Sequence, residues 1–299
     1  MKVSDAIRSG SHLSGMFDMR AWRSAIRSAR QRSRSNRVTV AAGAFAYRWF
    51  LSLFPIVIAL LGVAALVTIP QAVVVNLIHG ATKALPSGAA GVFTEAISHA
   101  AHRNGGELTA TVVASAVALW SATSGMVMLE EGLDMAYELP QDRSFLAKRL
   151  LALPLLVGAA VLGGSASALV IFGPQLDRVI KGALPGGSTF AAGWSVLRWI
   201  VALTLISLLF SLVYYLAPNR TRPVWRWTSP GSVFGTVVWA LISLGFSLYT
   251  SSFGSYAKTY GAFAGVAILI FWLYLTGLAV LFGGEINAAF ERQPTASSP

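Results

Sequence analysis

Arg48 is the residue whose type and position most directly suggest chemistry. It lies in the run AAGAFAYRWFLSLFP, residues 41–55, which is apolar enough to enter a lipid bilayer. Arg48 lies about ten residues into the predicted span Val40–Thr68, and helical geometry then gives it a depth of roughly 10–15 Å. Because a charged side chain at that depth is costly, its presence requires a physical explanation.

Two explanations fit Arg48. Helical side chains lean toward the helix N-terminus, so a helix entered from the cytoplasm lets the guanidinium reach back to the inner surface. Alternatively, Arg48 faces a polar cleft open to the inner leaflet. There it would hold an anionic headgroup or pair with Glu285, at the inner end of the last apolar run, because bidentate geometry suits arginine to both tasks. The residues alone leave both explanations open.

Residues typical of catalytic or metal sites are sparse. The chain has no cysteine, and its four histidines form no HExxH helix. There is no GxSxG elbow and no GxxxxGK[ST] phosphate loop. No Asp or Glu lies in the middle of a proposed span, where ion-coupled transporters usually place a carboxylate. We therefore expect no enzymatic activity, no metal, no cofactor, no ATPase of its own and no proton-coupling carboxylate.

Membrane-spanning helices must position these few polar residues. The chain is 55% hydrophobic and 12% charged, whereas soluble domains are about 25% charged. Continuously apolar runs of about 20 residues favour a helical bundle over a barrel. The expected fold class is all-α with six spans. These are Val40–Thr68, Thr109–Leu129, Leu150–Phe172, Trp194–Ala217, Pro230–Tyr249 and Gly261–Gly283.

The distribution of basic residues predicts the orientation. In a model with the N-terminus inside, the inner segments carry most of the arginines and lysines, as expected for cytoplasmic segments. Both termini are therefore expected in the cytoplasm. The chain then divides into a basic N-terminal segment at 1–37, a membrane domain at 38–290 and a short polar tail at 291–299.

The basic N-terminal segment has helical periodicity. Arginines recur at spacings of three and four, which places them on one helical face: Arg20, Arg23, Arg27, Arg30, Arg34 and Arg37. Trp22 and Ile26 lie on a neighbouring stripe. We predict an interfacial helix on the inner leaflet, with these two side chains among the headgroups and each guanidinium on anionic lipid contributing about 1 kcal/mol. A disordered basic tail is the alternative, and RNA binding is disfavoured because no aromatic platform accompanies the arginines.

Three further features concern the membrane domain. The first external connection contains two apolar clusters, at 73–78 and 92–101, which predict short amphipathic helices at the outer interface. Pro55 and Pro154 each remove a helical hydrogen bond and predict local kinks. Small residues repeated every four positions predict close helix packing. Packing within the bundle is favoured, and self-association into a homo-oligomer stays open.

Four stretches carry a family likeness: AYRWFLSLFP, WSATSGMVMLEEGLDMAYELPQDRSFLAKRLLAL, YYLAPNR, and SSFGSYAKTYGAFAGVAILIFWLYLTGLAVLFGGEINAAFE. Together they resemble the YihY, or BrkB-like, family of bacterial inner-membrane proteins over about residues 40–291. The likeness is strongest in FGGEINA, which is similar to the family's G-x-E-[LI]-N-A signature at Glu285 and Asn287. Asn219 matches its P-N turn. The chain departs from the family in EEGLDMAYEL, where a more basic or amide-bearing helix end is expected.

The resemblance implies a six-span protein of the bacterial inner membrane without established chemistry. A ribonuclease label carried by members is not supported here, because nucleases of that name have dense His–Asp motifs. We expect a protein that binds or translocates an anionic amphiphile, such as an envelope lipid, through a cleft lined by Arg48, Asn219, Glu285 and Asn287. A scaffold recruiting partners through the basic N-terminus is one alternative. An enzyme or RNA-binding protein is another; no specific nucleic-acid partner is expected.

Overall fold

The described part of the chain is helical throughout its regular elements. A computed structural model describes residues 19–66, 108–140, 143–183, 187–220, 227–251 and 254–292. Within these ranges there is no strand, which confirms the all-α class. Their α-helices are α1 (Met19–Ser35), α2 (Val38–Leu66), α3 (Leu108–Tyr137), α4 (Phe145–Gly158), α5 (Gly164–Ala183), α6 (Gly187–Leu216), α7 (Pro230–Ser251) and α8 (Gly254–Arg292). The amphipathic helices predicted at 73–78 and 92–101 lie outside the described residues.

Several of these helices are long and apolar enough to cross a membrane. Among the described residues, four stretches meet that test: Phe145–Val170, Ala192–Leu216, Pro230–Thr250 and Gly265–Arg292. A shorter apolar helix covers Val38–Leu53. The chain is therefore a multi-pass integral membrane protein. Crossings by α2 and α3, which would complete six spans, stay predictions.

An apolar outer surface accompanies these helices. Large aliphatic side chains are exposed along α6 and α7, among them Val196, Ile200, Leu241 and Leu244. A water-soluble protein rarely exposes apolar patches of this extent, whereas lipid tails solvate them readily. This surface agrees with a membrane as the solvent.

Helical backbone continues through both prolines marked as kink sites. Pro55 lies inside α2 and Pro154 inside α4, so neither proline ends its helix. A π-helical segment, Ala159–Gly163, begins shortly after Pro154 and joins α4 to α5. Such segments disturb the regular helical ladder. The kinks at the prolines themselves stay predictions.

The chain divides into two compact units. The first unit comprises Met1–Val40, Glu130–Ala240 and Leu278–Pro299, and the second comprises Ala41–Leu129 and Leu241–Gly277. Fully buried side chains of the first unit include those of Leu133, Leu155, Tyr214, Leu281 and Ile286. In the second unit, Gly277 of α8 packs against α2, because a Cβ there would lie 2.9 Å from Cδ1 of Phe45.

Candidate functional site

Helix α1 is docked on the first unit through an apolar face. The Trp22 ring lies 5.1 Å from the ring of Phe290 and 6.1 Å from that of Phe234, measured between centroids. Ala25 and Ala29, on the same face of α1, are fully buried. The half-buried Trp22 ring thus packs on aromatic side chains of α7 and α8, and its predicted position among lipid headgroups stays a prediction. Ile26 is exposed, as its predicted headgroup position requires.

The opposite face of α1 carries the predicted arginine stripe. At about 100° per residue, this stripe lies roughly opposite Ala25 and Ala29. The side chains exposed along it are those of Arg20, Arg23, Arg27, Arg30 and Arg34. The structure thus confirms an amphipathic helix with a basic outer face. Contact of that face with anionic lipid stays a prediction.

Glu285 is held by the connection between α1 and α2. Its side chain is 1% exposed, and its Oε1 accepts a 2.7 Å hydrogen bond from Nδ2 of Asn36. Arg37, beside Asn36, has φ 49°, a left-handed conformation that costs a non-glycine residue about 1–2 kcal/mol. This strained connection is stabilised in part by the Asn36 bond, so Glu285 fixes the point where α1 joins α2.

Arg48 lies on α2 in the second unit, with an exposed side chain. One helical turn on, Ser52 Oγ lies 2.7 Å from the carbonyl oxygen of Arg48 and 2.6 Å from that of Ser121. Its single proton can be donated to either carbonyl, which gives Ser52 a role in joining α2 to α3. The pairing of Arg48 with Glu285 and its contact with a headgroup stay predictions.

Asn287 joins three helices of the first unit. Its Nδ2 donates to the Tyr137 hydroxyl at 2.7 Å and to Oε1 of Glu291 at 3.2 Å. Its Oδ1 accepts from the backbone N–H of Gly231 at 3.4 Å, in the first turn of α7, where N–H groups lack helical partners. The side chain is buried. The family signature residue therefore caps α7 and ties it to α3 and α8.

Asn219 is fixed at the end of α6 by an arginine that sequence reasoning missed. Arg143 Nε donates to Oδ1 of Asn219 at 3.1 Å. Its two terminal nitrogens donate to the carbonyl oxygens of Ala217 at 2.6 Å and Pro218 at 3.1 Å. The carbonyls that follow a helix carry partial negative charge, which favours a cation there. Arg143 thus holds the P-N turn against the start of α4.

Two buried carboxyl groups of α3 lie next to this arginine. Glu130 and Asp134 are one helical turn apart, and each is 1% exposed. Asp134 Oδ1 accepts a 2.7 Å hydrogen bond from the backbone N–H of Asn219, whereas Glu130 Oε2 lies 3.8 Å from Arg143 Nη1. Neither oxygen of Glu130 accepts a hydrogen bond from any described residue.

Burial raises the pKa of both carboxyl groups. Both residues lie beyond Leu129, where the predicted membrane span ends. The pKa of Glu130 is raised from 4.5 to about 8, chiefly because burial disfavours the charged form. The pKa of Asp134 is also raised by burial, an effect opposed by the hydrogen bond from Asn219. Nearby Glu131 is paired with Lys148 at 2.7 Å.

The end of α3 is fixed by a helix-terminating motif. The backbone N–H of Leu139 donates to the carbonyl oxygen of Asp134 at 2.9 Å, and the backbone N–H of Glu138 donates to that of Met135 at 3.1 Å. These two bonds form a Schellman motif. Glu138 takes the left-handed position, at φ 56°, where glycine is usual. Its carboxylate pairs with Arg32 of α1 at 3.3 Å and with Arg292 of α8 at 3.5 Å. These half-exposed pairs are individually weak but connect three helices.

A further arginine completes the network. Arg220 Nη1 lies 2.9 Å from both carboxylate oxygens of Glu291, and its guanidinium lies 4.9 Å from the ring centroid of Tyr137. A second terminal nitrogen of Arg220 donates to the backbone carbonyl of Tyr214. The Tyr214 hydroxyl, fully buried, donates to the carbonyl of Val280 at 2.7 Å. Arg220 thus links the end of α6 to α3 and α8.

The structure brings three of the four predicted cleft residues into one unit. Asn219, Glu285 and Asn287 belong to the polar network of the first unit, where their side chains bond to protein groups. Sequence reasoning missed Glu130 and Arg143. The spacing of Glu130 and Asp134, at i and i+4 around the apolar Leu133, could have indicated an inward acidic face on α3.

Comparisons with known proteins agree with this architecture. A family model described as "Virulence factor BrkB" matches residues 29–299. The chain is similar to the ribonuclease-like protein YfkH of Bacillus subtilis (strain 168), whose name is itself provisional, with 34% identity over 83% of this chain and 88% of that one. It is similar to UPF0761 membrane proteins, with 29% identity to one of Nitrosospira multiformis over 57% of this chain and 38% of that one. It is also similar to a UPF0761 membrane protein of Alteromonas mediterranea, with 30% identity over 49% of this chain and 47% of that one.

The chain therefore spans less than half of the two UPF0761 relatives but most of YfkH. No solved structure matches it. The family model covers nearly the whole sequence, and its match includes the Glu285, Asn287 and Asn219 motifs. On these grounds, the chain belongs to the BrkB family of membrane proteins.

Proposed function

We propose that the protein binds an anionic amphiphile, in the form of an envelope lipid, and moves it in or across the bacterial inner membrane without hydrolysing nucleotide. The observation that carries the proposal is the exposed arginine face of α1. This face is presented by a helix whose other side is docked through Trp22, Ala25 and Ala29. An oriented row of guanidinium groups beside a membrane domain suits phosphate-bearing headgroups.

The docking makes the basic face an efficient binding surface. A free basic tail would lose conformational entropy on binding, whereas α1 is already ordered by its packing on Phe234 and Phe290. Each guanidinium near an anionic surface contributes about 1 kcal/mol, so the four at Arg23, Arg27, Arg30 and Arg34 together would supply about 4 kcal/mol. Such binding weakens as salt rises.

The buried residues of the first unit have a supporting role in this proposal. Glu285 holds the α1–α2 connection through Asn36, and Asn287 holds the start of α7. Both therefore fix the helices on which α1 rests. Arg48, exposed on α2, is proposed as a second headgroup contact during movement of the lipid.

A vesicle-binding experiment tests the proposal. The reconstituted or detergent-solubilised protein is compared with a variant in which Arg23, Arg27, Arg30 and Arg34 are all replaced by glutamine, using vesicles with and without anionic lipid. We expect the glutamine variant to lose preference for anionic vesicles and a matched lysine variant, which keeps the charge, to retain it. Equal binding by all three proteins would remove the arginine face from the function.

Lipid movement requires a separate assay. Reconstituted protein should accelerate the exchange of a labelled anionic lipid between leaflets, and Arg48→Ala should slow that exchange. Exchange by Arg48→Ala at the rate of the parent protein would exclude Arg48 from the mechanism. No acceleration by the parent protein would reduce the proposal to lipid binding alone.

A scaffold that recruits an acidic partner protein is the second candidate, favoured by the rigid presentation of α1. The quadruple glutamine variant separates the two candidates in cells. If the variant keeps lipid exchange but loses the cellular phenotype of the parent, a partner protein is indicated. The ribonuclease-like name belongs to YfkH, and we propose no nuclease activity for this chain.

A further inference from the structure

We propose that Glu130 is a proton-binding site, and that its proton decides whether Arg143 stays bonded to the end of α6. No Asp or Glu lies in the middle of a predicted span. Glu130 instead follows directly after the predicted end of a span, at Leu129. The inference concerns a different ligand and different residues from the proposed lipid contact, and its tests use no lipid.

The first support is the condition of the Glu130 carboxyl group. It is 1% exposed, and neither oxygen accepts a hydrogen bond from a described residue. An ionised carboxylate without hydrogen bonds is strongly disfavoured inside a protein. The protonated carboxyl group is neutral and costs much less to bury, so the site as built favours a bound proton.

The second support is competition for one nitrogen atom. Arg143 Nη1 donates to the Ala217 carbonyl at 2.6 Å and lies 3.8 Å from Glu130 Oε2. A neutral, protonated Glu130 would attract Nη1 less than the Ala217 carbonyl does, which agrees with the shorter distance to the carbonyl oxygen. Loss of the proton creates a buried anion beside the guanidinium, and the attraction between the two draws Nη1 toward Glu130. This weakens the hydrogen bond from Arg143 to the Ala217 carbonyl, which helps to fix the P-N turn.

The surrounding charges favour a proton over a metal cation. Facing Glu130 are Asp134 and Glu131 of α3, Arg143 of the α3–α4 connection and Lys148 of α4. With every group ionised, three carboxylates oppose two cations, so the cluster carries one excess negative charge that a single proton neutralises. Arg143 Nη1, 3.8 Å from Glu130 Oε2, already supplies a positive charge beside this carboxyl group. The pKa of about 8 brings proton exchange close to physiological pH.

Infrared spectroscopy of the full-length protein tests proton occupancy directly. Spectra recorded between about pH 6 and pH 10 should show a protonated carboxyl band that disappears with rising pH. Glu130→Gln should abolish the component of this band that titrates near pH 8. The matched control is Glu131→Gln, because Glu131 is adjacent but paired with Lys148; it should retain that component, titrating at a lower pH because one neighbouring negative charge is removed. Survival of the component in Glu130→Gln, or its absence from the parent, would overturn the proposal.

Hydrogen exchange tests the consequence for Arg143. After correction for intrinsic exchange rates, amide protection at Ala217, Asn219 and Arg220 should fall about tenfold as pH rises through the titration, as expected for one weakened hydrogen bond. Glu130→Gln should keep the protection high and constant, whereas Glu131→Gln should still show the pH-dependent fall, displaced to a lower pH. Constant protection in the parent would refute the coupling without requiring any variant to fold. A titration displaced by Na⁺ would indicate a cation site and contradict the proton assignment.

Discussion

At the scale of single residues, the polar groups of the first unit act mainly by fixing helix ends. Asn287 caps α7, Asn36 bonds Glu285, and Arg143 bonds the carbonyls that follow α6. These residues are buried or half-buried, where a missing partner leaves a polar group unsatisfied at a cost of about 1–3 kcal/mol. Replacing any of them should therefore lower the free energy of unfolding more than replacing an exposed polar residue does.

Replacing Asn36 should destabilise the protein through Glu285. In Asn36→Ala the buried Glu285 loses the donor to its Oε1, and we expect a loss of about 1–3 kcal/mol in the free energy of unfolding. Ser35→Ala is the matched control, because Ser35 is exposed and its hydroxyl bonds a carbonyl of its own helix. Thermal unfolding in detergent measures both. An equal effect of the two substitutions would contradict the role given to Asn36.

Glu130 should make stability depend on pH in a defined direction. Its folded-state pKa of about 8 lies above the ordinary 4.5, so its stabilising contribution is complete below about pH 4.5 and is lost as pH rises through 8. Glu130→Gln mimics the protonated state. Its melting temperature should therefore exceed that of the parent increasingly as pH rises toward about 9.

A parallel pH series on Glu131→Gln provides the control for this prediction. Glu131 is paired with Lys148, and its replacement should produce no stability gain that grows with pH. If the advantage of Glu130→Gln is the same at every pH, Glu130 does not change protonation in this range.

At the scale of helices, two contacts decide the arrangement of the first unit. One is the packing of Trp22 between α1 and the phenylalanines of α7 and α8. The other is the close approach of α7 to α8 at Gly231, where a Cβ would lie 2.3 Å from the carbonyl oxygen of Gly283. The first contact orders a basic helix, and the second allows Asn287 to reach the start of α7.

Trp22→Ala should release α1. Truncation of a fully buried tryptophan costs about 3–5 kcal/mol. Even part of that loss, for the half-buried Trp22, exceeds the contribution of at most about 1 kcal/mol expected from the exposed Arg32–Glu138 ion pair. We expect rapid trypsin cleavage within α1 while the membrane helices stay protected. Trp227→Ala is the control, because Trp227 is 71% exposed. Slow cleavage of Trp22→Ala, at the rate of the parent, would show that the aromatic contact does not hold α1.

Gly231→Ala should prevent proper packing of α7 on α8. The added methyl group would overlap the Gly283 carbonyl and Asn287, and backbone atoms cannot move aside as a flexible side chain can. We expect destabilisation of at least about 2–3 kcal/mol and a poor yield of folded protein. Gly245→Ala, in the same helix, meets nothing within 4 Å and should be neutral or slightly stabilising. Similar yields of the two variants would contradict the close approach.

At the scale of the whole molecule, the apolar runs predicted the helices but not their full lengths. The predicted span ending at Leu129 continues as α3 to Tyr137, and the one ending at Gly283 continues as α8 to Arg292. Apolarity marks only the part of a helix that would lie in lipid. The helical backbone hydrogen bonds continue beyond the apolar part, because polar side chains there bond to groups on other helices. Those partners are far apart in sequence, as with Asn36 and Glu285, so no local pattern reveals them.

The same long-range contacts support the predicted topology. Within the first unit, hydrogen bonds join the end of α1, the ends of α3, α6 and α8 and the starts of α4 and α7. In a six-span chain with its N-terminus inside, all these helix ends fall on the cytoplasmic side. The contacts therefore agree with six crossings, and the cytoplasmic location of this side stays a prediction.

Labelling of single cysteines tests this topology, since the natural chain contains none. Ser35→Cys and Thr228→Cys, both at exposed positions of the first unit, should react with a membrane-impermeant maleimide only after cells are permeabilised. Gly186→Cys, between α5 and α6 in the sequence, should react in intact cells. The contacts demand that Ser35 and Thr228 label from one side. The charge distribution predicts that this side is the cytoplasm, because it carries the arginines of α1 and of the α3–α4 connection. Labelling of Ser35 and Thr228 from opposite sides would refute the helix arrangement, whereas joint labelling in intact cells would refute only the orientation.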